Sequence, residues 1–339
     1  MSKKRTFLQA VGDAVREEMR RDERVFVMGE DVRSGIYGDF GMDEFGPERV
    51  RNTPISEAGF VGAGVGAALT GMRPIVEATV SNFLYCAMDQ IANQAAKSRY
   101  MFGGQARVPI VIRAQVLYGN GSAAHHNDRP WGIFAQCVGL KVVVPSTPYD
   151  AKGLMVAAIR DDNPVLIIED SGLWGRRAEV PEENYVVPLG LADVKRAGTD
   201  VTIVSLAGGV HRSLAAAEQL EAEGISAEVV DLRTVTPLDR ATILKSVEKT
   251  GRLIAVDVAP GMCSVASEVA ATVAEQAFSH LKAPVTRLTA PDIPVPFSPA
   301  LEQFVYPTPD TIADAARRLV GRPAAEKESV LASEAGKTA

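Results

Sequence analysis

The stretch GSAAHHNDRPWG, residues 121–132, sets His125 and His126 side by side, followed by Asn127, Asp128 and Arg129. Histidine titrates nearest neutrality, so a loop that presents one is a candidate for acid–base work or metal ligation. Neighbouring side chains point apart, and neither an HExxH spacing nor paired cysteines supply further ligands, so metal is the weaker use. One histidine of the pair, on a loop following an apolar run, is the better acid–base candidate. Glu57, in SEAGFVG, stands at the start of a small-residue helix. An acid there commonly complements the helix dipole. In a closed apolar cleft it would instead favour its protonated form and trade a proton with a heterocycle. Phe83 and Tyr85, in SNFLYC, fall at a strand–helix junction, where an aromatic ring either packs in the core or stacks on a planar ligand.

The segment GAGVGA, residues 62–67, satisfies the dinucleotide pattern G-x-G-x-x-G/A, but it follows a turn and helix start instead of a strand, and Glu77 comes too early for the ribose acid. Its small residues read better as a face for close helix packing. The elements that must hold these residues alternate regularly. RTFLQAVGDAVREEMRRD places Phe7, Val11, Ala14, Val15 and Met19 at helical spacing, and VFVMGEDV, RPIVEATV, VPIVIRAQV, LKVVVPST and NPVLIIED read as strands buried on both faces. NFLYCAMDQIANQAAKSRYM and PYDAKGLMVAAIRDD read as the helices between them, and RSGIYGDFGMDEFGPERV as a glycine-rich loop.

After a polar, proline-bearing lapse, a second alternating series begins at DVTIVSLA. The fold expected is therefore α/β with two open sheet domains: 4–180, a linker at 181–198, 199–320, and a polar tail at 321–339 that reads as disordered. A length of 339 residues with 46% apolar and 23% charged residues suits two cores. The net charge of -6 disfavours a nucleic-acid partner, and the three scattered cysteines point to a reducing compartment. No signal peptide opens the chain, and no apolar run approaches the roughly 18 residues of a membrane span. A cytoplasmic protein without membrane or nucleic-acid partners is the expectation.

Taken in order, GPERVRNTPISEAGFVGAGVGAALTGMRPIVEATVSNFLYCAMDQI, GLKVVVPSTPYDAKGLMVAAIRDDNPVLIIE, DLRTVTPLD, KTGRL and APDIPVPFSPALE resemble one family over residues 4 to 320. It is the β subunit of the thiamine-diphosphate-dependent E1 component of 2-oxo acid dehydrogenase complexes, a group that includes pyruvate, branched-chain 2-oxo acid and acetoin dehydrogenases. The resemblance implies a transketolase-like pyrimidine-binding domain followed by a transketolase C-terminal-type domain. It matches Glu57 to the glutamate that hydrogen-bonds the aminopyrimidine ring and relays its proton, Phe83 to the aromatic residue stacking on that ring, and Glu30, in GED, to an acid on the cofactor side of the interface. His126 matches the first residue of the family's HSQ motif at the active-site mouth. The GDG stretch that holds magnesium in thiamine enzymes is absent here, so the diphosphate and its magnesium are expected on an α subunit, in an α2β2 heterotetramer. A lipoyl-bearing E2 is a further expected partner. A structural potassium ion, bound mostly by backbone oxygens, is implied at Ile110, Ala158, Ile159, Asp161 and Asn163.

The chain departs from the pattern at HHND, where Asn127 and Asp128 replace serine and glutamine, and at Gln136, a position commonly histidine. An acid at Asp128 is electrostatically odd beside an anionic substrate, with Arg129 as its possible offset. The expected function is oxidative decarboxylation of a 2-oxo acid, or acetoin cleavage, with acyl transfer to lipoyl-E2. The alternatives are a thiamine-dependent carboligase, acyloin synthase or transketolase-like subunit, and a non-catalytic structural subunit. Asn127, Asp128 and His125 are the candidates for substrate choice.

Overall fold

The computed structural model describes residues 2–119 and 121–323; the expected tail lies, beyond Pro323, outside the described residues. A seven-stranded sheet runs in the spatial order Thr234–Thr236, Lys141–Val143, Val165–Asp170, Val111–Val116, Arg73–Val80, Val25–Gly29, Val50–Asn52, parallel except for the first pair. A five-stranded sheet follows, in the order Thr286–Ala290, Leu253–Pro260, Val201–Ser205, Ala227–Asp231, Asp193–Arg196, with only the last pair antiparallel. Every residue of Val111–Val116 and Val165–Asp170 is buried. That is the pattern of parallel strands covered on both faces by helices.

The first helix, Phe7–Arg21, buries Phe7, Val11, Ala14, Val15 and Met19 and starts at a reciprocal cap between Thr6 and Gln9. The helix Glu57–Leu69 lies so close to the sheet that a Cβ at Gly64 would stand 2.6 Å from Val76 Cγ2 and 3.1 Å from Ile110 Cδ1. The GAGVGA stretch is thus a packing face. The single helix read from NFLYCAMDQIANQAAKSRYM is instead three pieces: a 3₁₀ turn Ser81–Ala87, a π segment Gln90–Ala95, and an α-helix Ala96–Met101. It follows a strand whose register slips between Glu77 and Val80, with Thr79 at a φ of 54°. The chain therefore enters the helix off its regular path, and the tight first turn absorbs the offset.

The two halves are stitched together. Thr234–Thr236, past the expected boundary, joins the first sheet by pairing with Lys141–Val143. Asp193–Arg196, read as connecting chain, is an edge strand of the second sheet because Val229–Asp231 offers it an unpaired edge. Lys195 lies 2.5 Å from Asp150 and 2.7 Å from Asp193, and Arg233 lies 2.6 Å from Asp150 and 2.8 Å from Asp193, so ion pairs bridge the halves. Among the described residues, no helix is long and apolar enough to cross a membrane.

At the centre of the first sheet, the buried Arg113 donates through Nε and Nη2 to the two oxygens of Glu169, at 2.6 and 2.7 Å, and through Nη1 to Glu77. Two carboxylates face one guanidinium. Burial pushes Glu77 up to about 7, against the pull of Arg113 and with the push of Glu169. Arg113 Nη1 also reaches Tyr37 O at 2.7 Å, and Trp174 Nε1 donates to Glu169 at 3.0 Å. Replacing the cation should show how much depends on it. Arg113→Ala strands two buried carboxylates and is expected to cost about 3–5 kcal/mol in urea unfolding; a loss below about 1 kcal/mol would mean that the carboxylates simply take up protons.

Candidate functional site

Val25–Gly29 ends at a glycine with φ of 149°, where a Cβ would lie 2.2 Å from Glu77 O. Only glycine permits that turn at the sheet surface. The next residue, Glu30, is half-buried, and its Oε1 is buried without a hydrogen-bond partner. Burial raises its pKa, and the charges of Glu57 and Asp31 raise it further. Two acids far apart in sequence are thus brought within electrostatic reach of each other. Glu57 itself is half-buried at the first position of the Glu57–Leu69 helix, where the helix dipole favours a carboxylate.

Phe83 sits on the 3₁₀ turn Ser81–Ala87, and His126 closes the short turn Ala124–His126. Their rings meet at a centroid distance of 5.5 Å and an interplanar angle of 73°. The turn and the histidine loop are pinned together by backbone: Ser81 Oγ donates to Asp128 O at 2.6 Å, and Asp128 N donates to Asn82 Oδ1 at 3.0 Å. Ala123, at a φ of 56°, gives the loop its reversal just before the histidines. His125 is exposed while His126 lies half-buried against Phe83, so the adjacent pair diverges.

The two departures in HHND take different places. Asn127 is 2% exposed and donates its amide to Ala123 O at 2.9 Å, bracing its own loop. Asp128 is exposed and lies near Tyr85, whose phenol is pushed up by burial first and by the Asp128 charge second. Both residues line a cleft of about 290 Å³, with Tyr85, Arg129, Gln136, Met262 and Tyr306 among its walls. Tyr85 was legible as an aromatic at a strand end, whereas Tyr306 carried no signal, because it arrives from the far end of the chain.

Ile110, Ala158, Ile159, Asp161 and Asn163 gather where the helix Pro148–Arg160 turns into the strand Val165–Asp170. Their carbonyls already take hydrogen bonds: Ile110 O from Val165 N at 3.0 Å, Ala158 O from Asp161 N at 3.2 Å, and Ile159 O and Asp161 O from Arg73 at 3.0 Å each. Asp161 is held below its ordinary range despite burial, by Lys141 and by the Asn163 backbone and side-chain N–H groups.

Sequence patterns of known families match both halves: the transketolase pyrimidine-binding domain over residues 3–175 and the transketolase C-terminal domain over 190–312. The chain is 47% identical over 331 residues to the acetoin:2,6-dichlorophenolindophenol oxidoreductase subunit beta of Bacillus subtilis (strain 168), covering 93% of this chain and 97% of that one. It is 46% identical over 320 residues to the pyruvate dehydrogenase E1 component subunit beta of the same organism, covering 93% and 98%. The chain belongs to the E1 β-subunit family. A solved split-gene transketolase, an inactive β4 tetramer, superposes with a TM-score of 0.76 over 92% of this chain and 96% of that one, at 24% identity, a likeness of fold. Membership of the E1 β family implies thiamine diphosphate as cofactor and an α subunit as partner.

The acid pair gives this E1 β chain a testable pH signature. Because the folded pKa of Glu30 is raised, any penalty for ionising it is absent below the ordinary carboxylate range and grows as pH rises through the folded value. Glu30→Gln should therefore unfold like the parent chain in acid and become relatively more stable towards neutral pH, read from thermal midpoints across pH 4 to 8. A constant difference across that range would refute the ionisation penalty.

Proposed function

We propose that this chain supplies the aminopyrimidine half of a thiamine diphosphate site, with Glu57 holding a proton at the ring, Phe83 packing on its face and Glu30 behind Glu57. Two observations carry the reading: the ring of Phe83 meets that of His126, and Glu30, within electrostatic reach of Glu57, has a buried oxygen still lacking a partner. That donor-poor, aromatic-sided setting suits a flat heterocycle rich in N–H groups. Bound there, thiamine diphosphate supplies the carbon nucleophile and electron sink for breaking the bond beside a carbonyl.

The same acids argue against the diphosphate end lying on this chain, since Glu30 and Glu57 would repel it. An α subunit would hold the diphosphate through magnesium, and an α2β2 assembly would close two sites at its interfaces. His126 would steer the substrate at the mouth and help pass the acyl group to a lipoyl-bearing E2. Backbone oxygens at Ile110, Ala158, Ile159, Asp161 and Asn163 would hold a structural potassium ion; each carbonyl that already accepts one hydrogen bond retains a second lone pair.

Oxidative decarboxylation of a 2-oxo acid and cleavage of acetoin are the reactions in view. Asp128 favours the neutral substrate: a carboxylate in the mouth raises the energy of an approaching 2-oxo acid more than that of an acyloin. The same feature supports carboligation, in which aldehydes or acyloins replace the oxo acid.

Reconstitution with the α partner, thiamine diphosphate, magnesium and an artificial electron acceptor tests this. The β chain alone should give no turnover, and Glu57→Ala in the assembly should lower kcat by about 100-fold or more. Asp128→Gln should shift relative kcat/KM towards 2-oxo acids over acetoin by about tenfold. Turnover by β alone, or an unchanged substrate ratio, would reject the split site or the Asp128 argument respectively.

A further inference from the structure

We propose that Arg129 is a positioning residue: its guanidinium ties the neck of the loop that carries His125 and His126, and so sets His126 against Phe83. The proposal rests on the mouth role of His126 given above. Arg129 is 7% exposed. It donates through Nη1 to Asn127 O and through Nη2 to Leu117 O at 3.3 Å, carbonyls at the two ends of the 117–127 loop. Its guanidinium carbon lies 4.3 Å from the centre of the Tyr306 ring. A planar guanidinium can bridge two carbonyls while resting on an aromatic face; an ammonium cannot span the same geometry.

Tyr306 brings the C-terminal half into the tie. A second cation, Arg212, lies 5.4 Å from the Tyr306 centroid and 5.1 Å from that of Tyr118, and the two tyrosine rings are 5.3 Å apart. Gly119 N donates to Glu302 Oε1 at 3.1 Å. Gly119 is thus moored to the Glu302 carboxylate, and Leu117 and Asn127 are both held by Arg129 against Tyr306. Beyond Arg129, Trp131 Nε1 donates to Asp257 at 3.2 Å, an anchor that does not pass through the loop. Loss of Arg129 should therefore loosen the histidine turn and leave the fold intact.

The assembled holoenzyme should be compared with Arg129→Ala, Arg129→Lys, Tyr306→Leu, Tyr306→Phe and His126→Ala. Two quantities are read: turnover, and the ratio of His126 to His125 modification by diethylpyrocarbonate, site-resolved by mass spectrometry. Arg129→Ala is expected to lower kcat about 10- to 100-fold, with thiamine diphosphate affinity within about twofold of the parent, and to raise the His126:His125 ratio severalfold. Arg129→Lys should recover little, Tyr306→Phe should keep the parental modification ratio, and Tyr306→Leu should fall between. A parental modification ratio in Arg129→Ala overturns the proposal, whatever happens to kcat, because Arg129 would then act elsewhere than on the loop. Full activity of His126→Ala would remove the mouth role instead, and the modification ratio alone would then decide the tie.

Discussion

Everything near the site hangs on a guanidinium shared by two buried carboxylates. Glu77, Arg113 and Glu169 come from three adjacent parallel strands, Arg73–Val80, Val111–Val116 and Val165–Asp170, and none of them reaches water. A buried charge this large is tolerated only if every partner stays in place. The arrangement therefore fixes more than strand register. Arg113 holds Tyr37 O in the glycine-rich loop after Glu30, Trp174 closes on Glu169, and Glu77 accepts Thr79 N at 3.1 Å, in the bulge that leads into the Phe83 turn. Gly29 reverses directly over the Glu77 carbonyl. The glycine turn that leads into Glu30 and the turn that carries Phe83 are both set from this one cluster.

Much of this architecture could be read from residue order. Dense apolar runs separated by helical stretches implied parallel sheets, and the small residues of GAGVGA implied close packing, which Gly64 against Val76 makes physical. Glu57 at a helix start was legible because helix beginnings have local signatures. What escaped notice was long-range. Nothing in TVT announces a strand that crosses back to the first sheet, since edge pairing depends on an open edge elsewhere. The break of one expected helix into 3₁₀, π and α pieces follows from the slip at Thr79, itself a product of Glu77 bonding its own strand.

Among the candidate residues, sequence offered Asn127 and Asp128 as equals. Their different fates follow from one backbone. Ser81 and Asn82 seize the carbonyl and amide of Asp128, which turns its side chain outward to solvent. The preceding residue must then face inward, and Asn127 uses its amide on Ala123 O. Neighbours in an extended or turning chain point apart, so a pair of substitutions rarely does one job. The same alternation separates exposed His125 from His126.

Three carboxylates near the proposed cofactor site pose an electrostatic problem, and each sits in a different setting. Glu30 is pushed towards its protonated form by burial and by the charge of Glu57. Glu57 sits at a helix N-terminus, where the positive end of the dipole faces its carboxyl group. Asp128 lies exposed beside the Tyr85 phenol, in contact with water. None of these arrangements welcomes a diphosphate. Charge distribution thus supports the same proposed division of labour as the missing GDG stretch, with the cofactor's flat end against this chain and its anionic end against another.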